Sequence, residues 1–132
     1  MEAMKERGIT LWGEVTGGNK LGRRLGFPTA NLTVNKSFAA ADGVYAARVT
    51  VEGKIYDAMA NLGYKPSVSD GGKRVLEANL FGFEGDLYGR TIGIELLDFI
   101  RPEMRFDSFG ALREALARDR ETIVEVFRKK RE

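Results

Sequence analysis

A threonine, an asparagine and a glutamate are the residues whose types and spacing suit chemistry best. Thr29 and Asn31 lie two residues apart in the segment Pro-Thr-Ala-Asn at positions 28–31. In an extended chain such side chains share a face, so a hydroxyl oxygen and an amide oxygen lie side by side. Mg²⁺ takes few protein ligands and completes its octahedron with phosphates and waters. The pair therefore suits magnesium if the substrate supplies the negative charge, and a local turn is the structural alternative.

Glu77 is a carboxylate inside a segment that otherwise suits burial. Within residues 75–81, Glu77 and Asn79 fall on one face and three apolar side chains fall on the other. A carboxylate near a bound alcohol can accept its proton during phosphoryl transfer. The alternative is a solvated glutamate on an outer face of the protein.

A glycine-rich basic stretch precedes the threonine. Glycines at positions 17, 18, 22 and 26 alternate with Lys20, Arg23 and Arg24. Glycine lets the backbone approach a ligand and turn its N–H groups inward, and the cations neutralise phosphate charge. The stretch is not a Walker A loop, because two arginines replace its Lys-Ser/Thr and Pro28 follows too soon for a helix. A nucleotide-binding loop and a glycine hairpin without ligand both stay open.

Missing residue types narrow the chemistry further. The 132 residues include no cysteine and no histidine, which excludes a disulfide scaffold, a Ser-His-Asp triad and a His/Cys zinc site. There is no apolar run of about 18 residues and no charged-then-apolar leader, so we expect neither a membrane span nor a secretory signal. The lack of cysteine fits a reducing compartment, so we expect a cytoplasmic location. The net charge is +2, and we interpret the basic residues 128–131 as a solvated helix end rather than a nucleic-acid tail.

The spacing of the apolar residues changes near residue 107 from a strand-like to a helix-like period, and this spacing predicts the elements that position the residues above. Before it, runs rich in β-branched and aromatic residues predict strands at 9–15, 43–51, 54–61, 75–83 and 91–100. The dipeptide Glu52-Gly53 predicts a two-residue hairpin turn. After it, apolar residues at helical spacing predict an amphipathic helix with Ser108 as its N-cap. Five or six strands followed by one helix predict an antiparallel barrel with the helix packed on one side or end.

Taken in order, these segments resemble the riboflavin kinase family from about Gly13 to about Phe127. The most specific piece is residues 22–31, whose Pro-Thr-Ala-Asn core is a hallmark of that family. Supporting pieces follow at 43–45, 61–63, 77–89 and 101–108. Asn79 departs from the pattern, because many members have histidine there.

The resemblance implies one domain of residues 1–132: a mainly β, six-stranded antiparallel Greek-key (split) barrel, with strands at about 9–106 and a C-terminal amphipathic helix at about 108–130. It implies transfer of the ATP γ-phosphate to the 5′-hydroxyl of riboflavin, giving FMN. Thr29 and Asn31 would hold Mg²⁺, and Glu77 would be the catalytic base. The implied ATP-binding residues are Gly18, Arg23, Thr29, Leu80 and Tyr88, and the implied flavin-binding residues are Arg101, Met104 and Phe106.

The implied partners are riboflavin, FMN, ATP and ADP, with no nucleic acid and no membrane. The chain would act as a monomer or as one domain of a bifunctional FAD-synthesising enzyme. Three alternatives stay open. The first is a non-catalytic small barrel that binds nucleic acid or another protein, and the second is a flavin-binding module without transfer activity. The third is a riboflavin kinase that uses CTP, as a distantly related archaeal family does. The intact Thr29, Asn31 and Glu77 favour catalysis, and the Pro-Thr-Ala-Asn segment favours ATP.

Overall fold

The computed structural model describes residues 9–16, 29–65 and 72–131. These residues form six strands and one helix. The elements are β1 (Ile9–Glu14), β2 (Thr29–Val34), β3 (Gly43–Val51), β4 (Lys54–Lys65), β5 (Lys73–Leu80), β6 (Thr91–Pro102) and α1 (Phe109–Lys130). The last strand ends at Pro102 and not near 106, because proline has no N–H to continue the ladder.

The strands form one antiparallel sheet in the order β1-β6-β3-β4-β5-β2. Three consecutive strands, β3 to β5, lie side by side, and β6 returns to pair with β3, which is Greek-key connectivity. The backbone N–H of Thr16 donates to the carbonyl of Asn31 over 3.0 Å and links the end of β1 to β2. The sheet therefore nearly closes into the predicted barrel.

Local turn and cap chemistry agrees with the sequence. Glu52 and Gly53 join β3 to β4 with φ values of 49° and 82°, which is the left-handed geometry of a two-residue hairpin turn. The Ser108 hydroxyl accepts a hydrogen bond of 3.0 Å from the N–H of Ala111 and caps α1. Within the residues that the structure describes, no helix is long and apolar enough to cross a membrane.

Strand alternation gives the barrel two apolar surfaces. The inner one is the main core, with fully buried Leu32, Leu62 and Leu76 among its members. The outer one is smaller, and there Met59 and neighbouring strand residues pack against Phe127 and other apolar residues of α1. The helix therefore packs on the outer face. Thr29, Asn31 and Glu77 also point to this face, because they alternate with core residues along their strands.

Candidate functional site

A row of polar side chains crosses the outer face of the barrel on three neighbouring strands. Glu77 on β5 lies opposite Asn31 on β2 and, on its other side, opposite Asn61 on β4. Residues directly opposite each other in an antiparallel pair point to the same face with Cβ atoms about 5 Å apart. The structure thus places the predicted base beside one of the two predicted metal ligands, although their roles stay predictions.

The second predicted ligand lies one step along the same strand pair. Thr29 is opposite Asn79, and its hydroxyl donates a hydrogen bond of 2.9 Å to Asn79 Oδ1. Because the hydroxyl proton is used in this bond, the Thr29 oxygen keeps its lone pairs for another partner. Asn79 thereby sets the direction in which the lone pairs of the Thr29 hydroxyl can coordinate a cation.

Asn31 contributes a buried oxygen without a hydrogen-bond partner. Of the residues that the structure describes, Asn31 and Asn61 each bury a side-chain Oδ1 that lacks one. Such an atom costs about 1–3 kcal/mol, so it usually has a ligand or water as its partner. Two neutral hard oxygens, from Thr29 and Asn31, fit the chemistry of Mg²⁺ with phosphate oxygens as its other ligands.

Glu77 is buried, with 8% of its surface exposed. It lies on the central strand of the polar row, between two asparagines. A buried carboxylate that is retained in a strand is typical of a group that is paired or functional. Its position allows it to contact an alcohol that approaches along the row.

A pocket of about 540 Å³ lies next to this row, between the segment after β6 and the first half of α1. That volume lies within the usual range for small-molecule sites, about 300–1,000 Å³. All three predicted flavin-binding residues, Arg101, Met104 and Phe106, line it, and so does Asn61. Asn61 therefore belongs to both the pocket and the polar row.

Arg101 is held in place by a partner on the helix. Its guanidinium donates to both carboxylate oxygens of Asp119, at 2.7 Å from Nη2 and 3.0 Å from Nε. The Arg101 and Asp119 side chains are 19% and 8% exposed. The same guanidinium lies 5.6 Å from the centre of the Phe106 ring. The pair therefore fixes one wall of the pocket to α1.

Glu103 lines the same pocket and was given no role from the sequence. Burial, followed by the nearby charge of Asp42, raises the pKa of Glu103, while Arg101 acts in the opposite direction. Its carboxylate lies against the backbone of β4, where a Cβ on Gly63 would come within 3.0 Å of its carboxyl carbon. The absence of a side chain at Gly63 therefore makes room for this carboxylate.

The predicted nucleotide-binding residues have different outcomes. Gly18 and Arg23 lie outside the described residues. Tyr88 is 70% exposed in the turn after β5, and the N–H of the adjacent Gly89 donates to the Val15 carbonyl over 3.1 Å. Tyr88 therefore lies near the end of β1, where the glycine-rich stretch begins.

Leu80, the remaining predicted nucleotide-binding residue, lies in the barrel interior. It is fully buried in the main core, because strand alternation turns it to the face opposite Glu77. Its side chain is therefore turned away from the polar row, and its ATP-binding role stays a prediction that the Leu80 backbone would fulfil.

Sequence reasoning gave no role to Asn61 or Asp119, although each carried a signal. Asn61 is a polar residue on the outer face of a strand rich in small and apolar residues, and Asp119 falls on the apolar stripe of α1 between Leu116 and Ile123. A polar residue at a position suited to burial indicates a partner or a ligand.

Comparison with known proteins shows which family and which proteins the chain is similar to. It matches the family described as Flavokinase: Riboflavin kinase over residues 5–127. It is 38% identical over 118 residues to a bifunctional riboflavin kinase/FMN adenylyltransferase of Haemophilus influenzae, a match that covers 89% of this chain and 38% of that protein. The chain thus spans well under half the length of this relative.

Two solved structures are similar to the fold. A riboflavin kinase from Trypanosoma brucei superposes with a TM-score of 0.60 at 25% identity, covering 91% of this chain and 80% of that one. A structure from Streptococcus pneumoniae described as a macrolide-efflux protein superposes with a TM-score of 0.75 at 37% identity, covering 88% of this chain and 38% of that one.

Proposed function

The chain belongs to the riboflavin kinase family, and we propose that it transfers the γ-phosphate of ATP to the 5′-hydroxyl of riboflavin, giving FMN and ADP. The observation that carries this proposal is the continuity between the polar row and the pocket. The row runs from Asn31 through Glu77 to Asn61, and Asn61 also lines the pocket. A flavin ring in the pocket would extend its ribityl chain towards Glu77.

Thr29 and Asn31 are the proposed protein ligands of Mg²⁺. The buried Oδ1 of Asn31 lacks a hydrogen-bond partner, and the bond from Thr29 to Asn79 leaves the hydroxyl lone pairs available. When bound, Mg²⁺ supplies neutralisation of the charge on the phosphate groups of ATP. The protein needs no acidic ligand here, because the nucleotide brings the negative charge.

Glu77 is the proposed general base. The 5′-oxygen of riboflavin forms a bond to the γ-phosphorus while the bond from that phosphorus to the β–γ bridging oxygen breaks, and ADP leaves with that electron pair. The hydroxyl proton moves to the Glu77 carboxylate. Because Glu77 lies on a paired strand and is 8% exposed, it is positioned in advance and shielded from water, which favours transfer to the alcohol over hydrolysis.

Arg101, Met104 and Phe106 are the proposed flavin-binding residues. The ion pair with Asp119 holds Arg101 over the Phe106 ring, so the pocket offers fixed aromatic and polarisable surfaces to a planar ring system. Gly18, Arg23 and Tyr88 are the proposed nucleotide contacts. Thr16 and Thr29, which flank the glycine-rich stretch in the sequence, contact Asn31 and Asn79 respectively, so both of these described residues lie at the site.

Three further proposals concern the context of the chain. Residues 1–132 form one riboflavin kinase domain, the location is cytoplasmic, and the chain acts as a monomer or as part of a bifunctional FAD-synthesising enzyme. The bifunctional alternative is supported by the Haemophilus influenzae relative, a bifunctional riboflavin kinase/FMN adenylyltransferase.

The test is incubation with riboflavin, ATP and MgCl₂, followed by chromatographic separation of the fluorescent products. We expect FMN only when all three and the protein are present. A parallel reaction with CTP distinguishes the two donors. Riboflavin binding without FMN formation by either donor would refute the kinase proposal in favour of a flavin-binding module.

A further inference from the structure

Asn61 has a buried acceptor for which the proposed reaction gives no partner. Of the residues that the structure describes, only Asn31 and Asn61 bury a side-chain oxygen without a hydrogen-bond partner. The proposed Mg²⁺ site accounts for Asn31 and leaves Asn61 unexplained. Buried acceptors of this kind are normally satisfied by a protein group, an ordered water or a ligand.

The position of Asn61 restricts what that ligand can be. On one side it is opposite Glu77 on β5, and on the other it is opposite Val44, which is in turn opposite Arg101 on β6. It also lines the pocket that contains Arg101 and Phe106. A molecule that reaches from this pocket to Glu77 must therefore pass Asn61.

An amide oxygen at this point suits a hydroxyl donor. It accepts a hydrogen bond without carrying charge, so it costs less to bury than a second carboxylate and does not repel Glu77. It is also far too weak a base to take the proton that Glu77 must receive. A polyol chain that crosses from the pocket to Glu77 carries hydroxyl donors past Asn61.

We propose that Asn61 Oδ1 accepts a hydrogen bond from a ribityl hydroxyl of riboflavin and thereby selects flavins that carry a polyol chain and directs the terminal hydroxyl to Glu77. This inference rests on the proposed function. It makes Asn61 a specificity-determining residue that binds the chain between the ring pocket and the base.

The test compares two ligands that differ in the polyol. Lumiflavin has the same ring system as riboflavin with a methyl group in place of the ribityl chain. We expect Asn61→Leu to weaken riboflavin binding about five- to tenfold, which corresponds to about 1.0–1.4 kcal/mol, and to change lumiflavin binding less than about twofold. Dissociation constants follow from the quenching of flavin fluorescence on titration with protein.

Two further variants control for structural effects. Leu112 lines the same pocket and has no polar group, so Leu112→Ala should weaken both ligands alike. Asn61→Ser keeps an acceptor and should retain more riboflavin affinity than Asn61→Leu; it also provides the measurement if the leucine variant does not fold. In steady state, Asn61→Leu should raise KM for riboflavin and leave KM for ATP unchanged.

Equal weakening of riboflavin and lumiflavin binding in the Asn61 variants, or no change in either, would overturn this inference. The proposed function would still stand in that case if the wild-type chain forms FMN. A wild-type chain that neither binds riboflavin nor forms FMN would overturn both.

Discussion

Replacement of Asp119 by alanine should destabilise the fold far more than loss of a surface ion pair. The Asp119 carboxylate takes two short hydrogen bonds from Arg101, and the two side chains are 8% and 19% exposed. Removing one partner of a buried pair leaves an uncompensated charge and costs about 3–5 kcal/mol. We take the lower end, about 3 kcal/mol, because Arg101 keeps some access to water.

For a domain of this size each kcal/mol moves Tm by about 3–5 °C, so Asp119→Ala should lower Tm by about 10 °C. Thermal and urea unfolding followed by circular dichroism would measure the change, with an unchanged urea slope as the sign that the same surface unfolds. The matched control is Glu125→Ala, which breaks the exposed pair with Arg128 on the same helix and should leave Tm essentially unchanged.

The pair also connects stability to ligand binding. Because Asp119 holds Arg101 over Phe106, Asp119→Ala should raise KM for riboflavin as well as lower Tm. If Asp119→Ala unfolds at the same temperature as Glu125→Ala, the ion pair does not hold the helix to the barrel and the reasoning is wrong.

Three other predictions address the site. Glu77→Gln should lower kcat by about two to four decades with little change in riboflavin affinity, and near-normal turnover would exclude Glu77 as the base. Asn31→Ala should raise the Mg²⁺ concentration needed for half-maximal FMN formation by at least about tenfold, and an unchanged magnesium dependence would remove Asn31 from the metal site. Because burial and Asp42 raise the pKa of Glu103, the folded chain disfavours its charged form and loses stability as pH rises through that pKa. Glu103→Gln should therefore raise Tm at pH 7, with the gain vanishing below about pH 4, where the carboxyl is protonated in both states; a gain that persists at low pH would contradict this account.

Local features of the fold were predictable because their causes are local. The Glu52-Gly53 turn depends on left-handed backbone geometry at adjacent residues, and the Ser108 cap on a hydroxyl three residues from its N–H partner. The faces of the strands followed from their two-residue period. Alternation alone turns Leu80 into the core and Glu77 to the outer face.

Long-range features were not predictable from the pattern. Glu77 meets Asn31 and Asn61 only because β5 lies between β2 and β4 in this register, and no local sequence signal fixes that register. Asn61 is informative only when its neighbours are known, because a missing partner is a property of the assembled sheet. Asp119 similarly gains its meaning from Arg101, which lies 18 residues earlier in the chain.

Asn31 takes part both in the link between β1 and β2 and in the proposed metal site. Its backbone carbonyl receives the Thr16 N–H and hydroxyl, which join the two free edges of the sheet, while its side-chain oxygen faces the proposed metal site. Seam and substrate site thus share one residue. If Asn31 holds the metal as proposed, an occupied site should restrain the same residue that links β1 to β2, and we expect ligand binding and the link to reinforce each other. Protection of the Thr16 amide against hydrogen exchange should then rise when the site is filled.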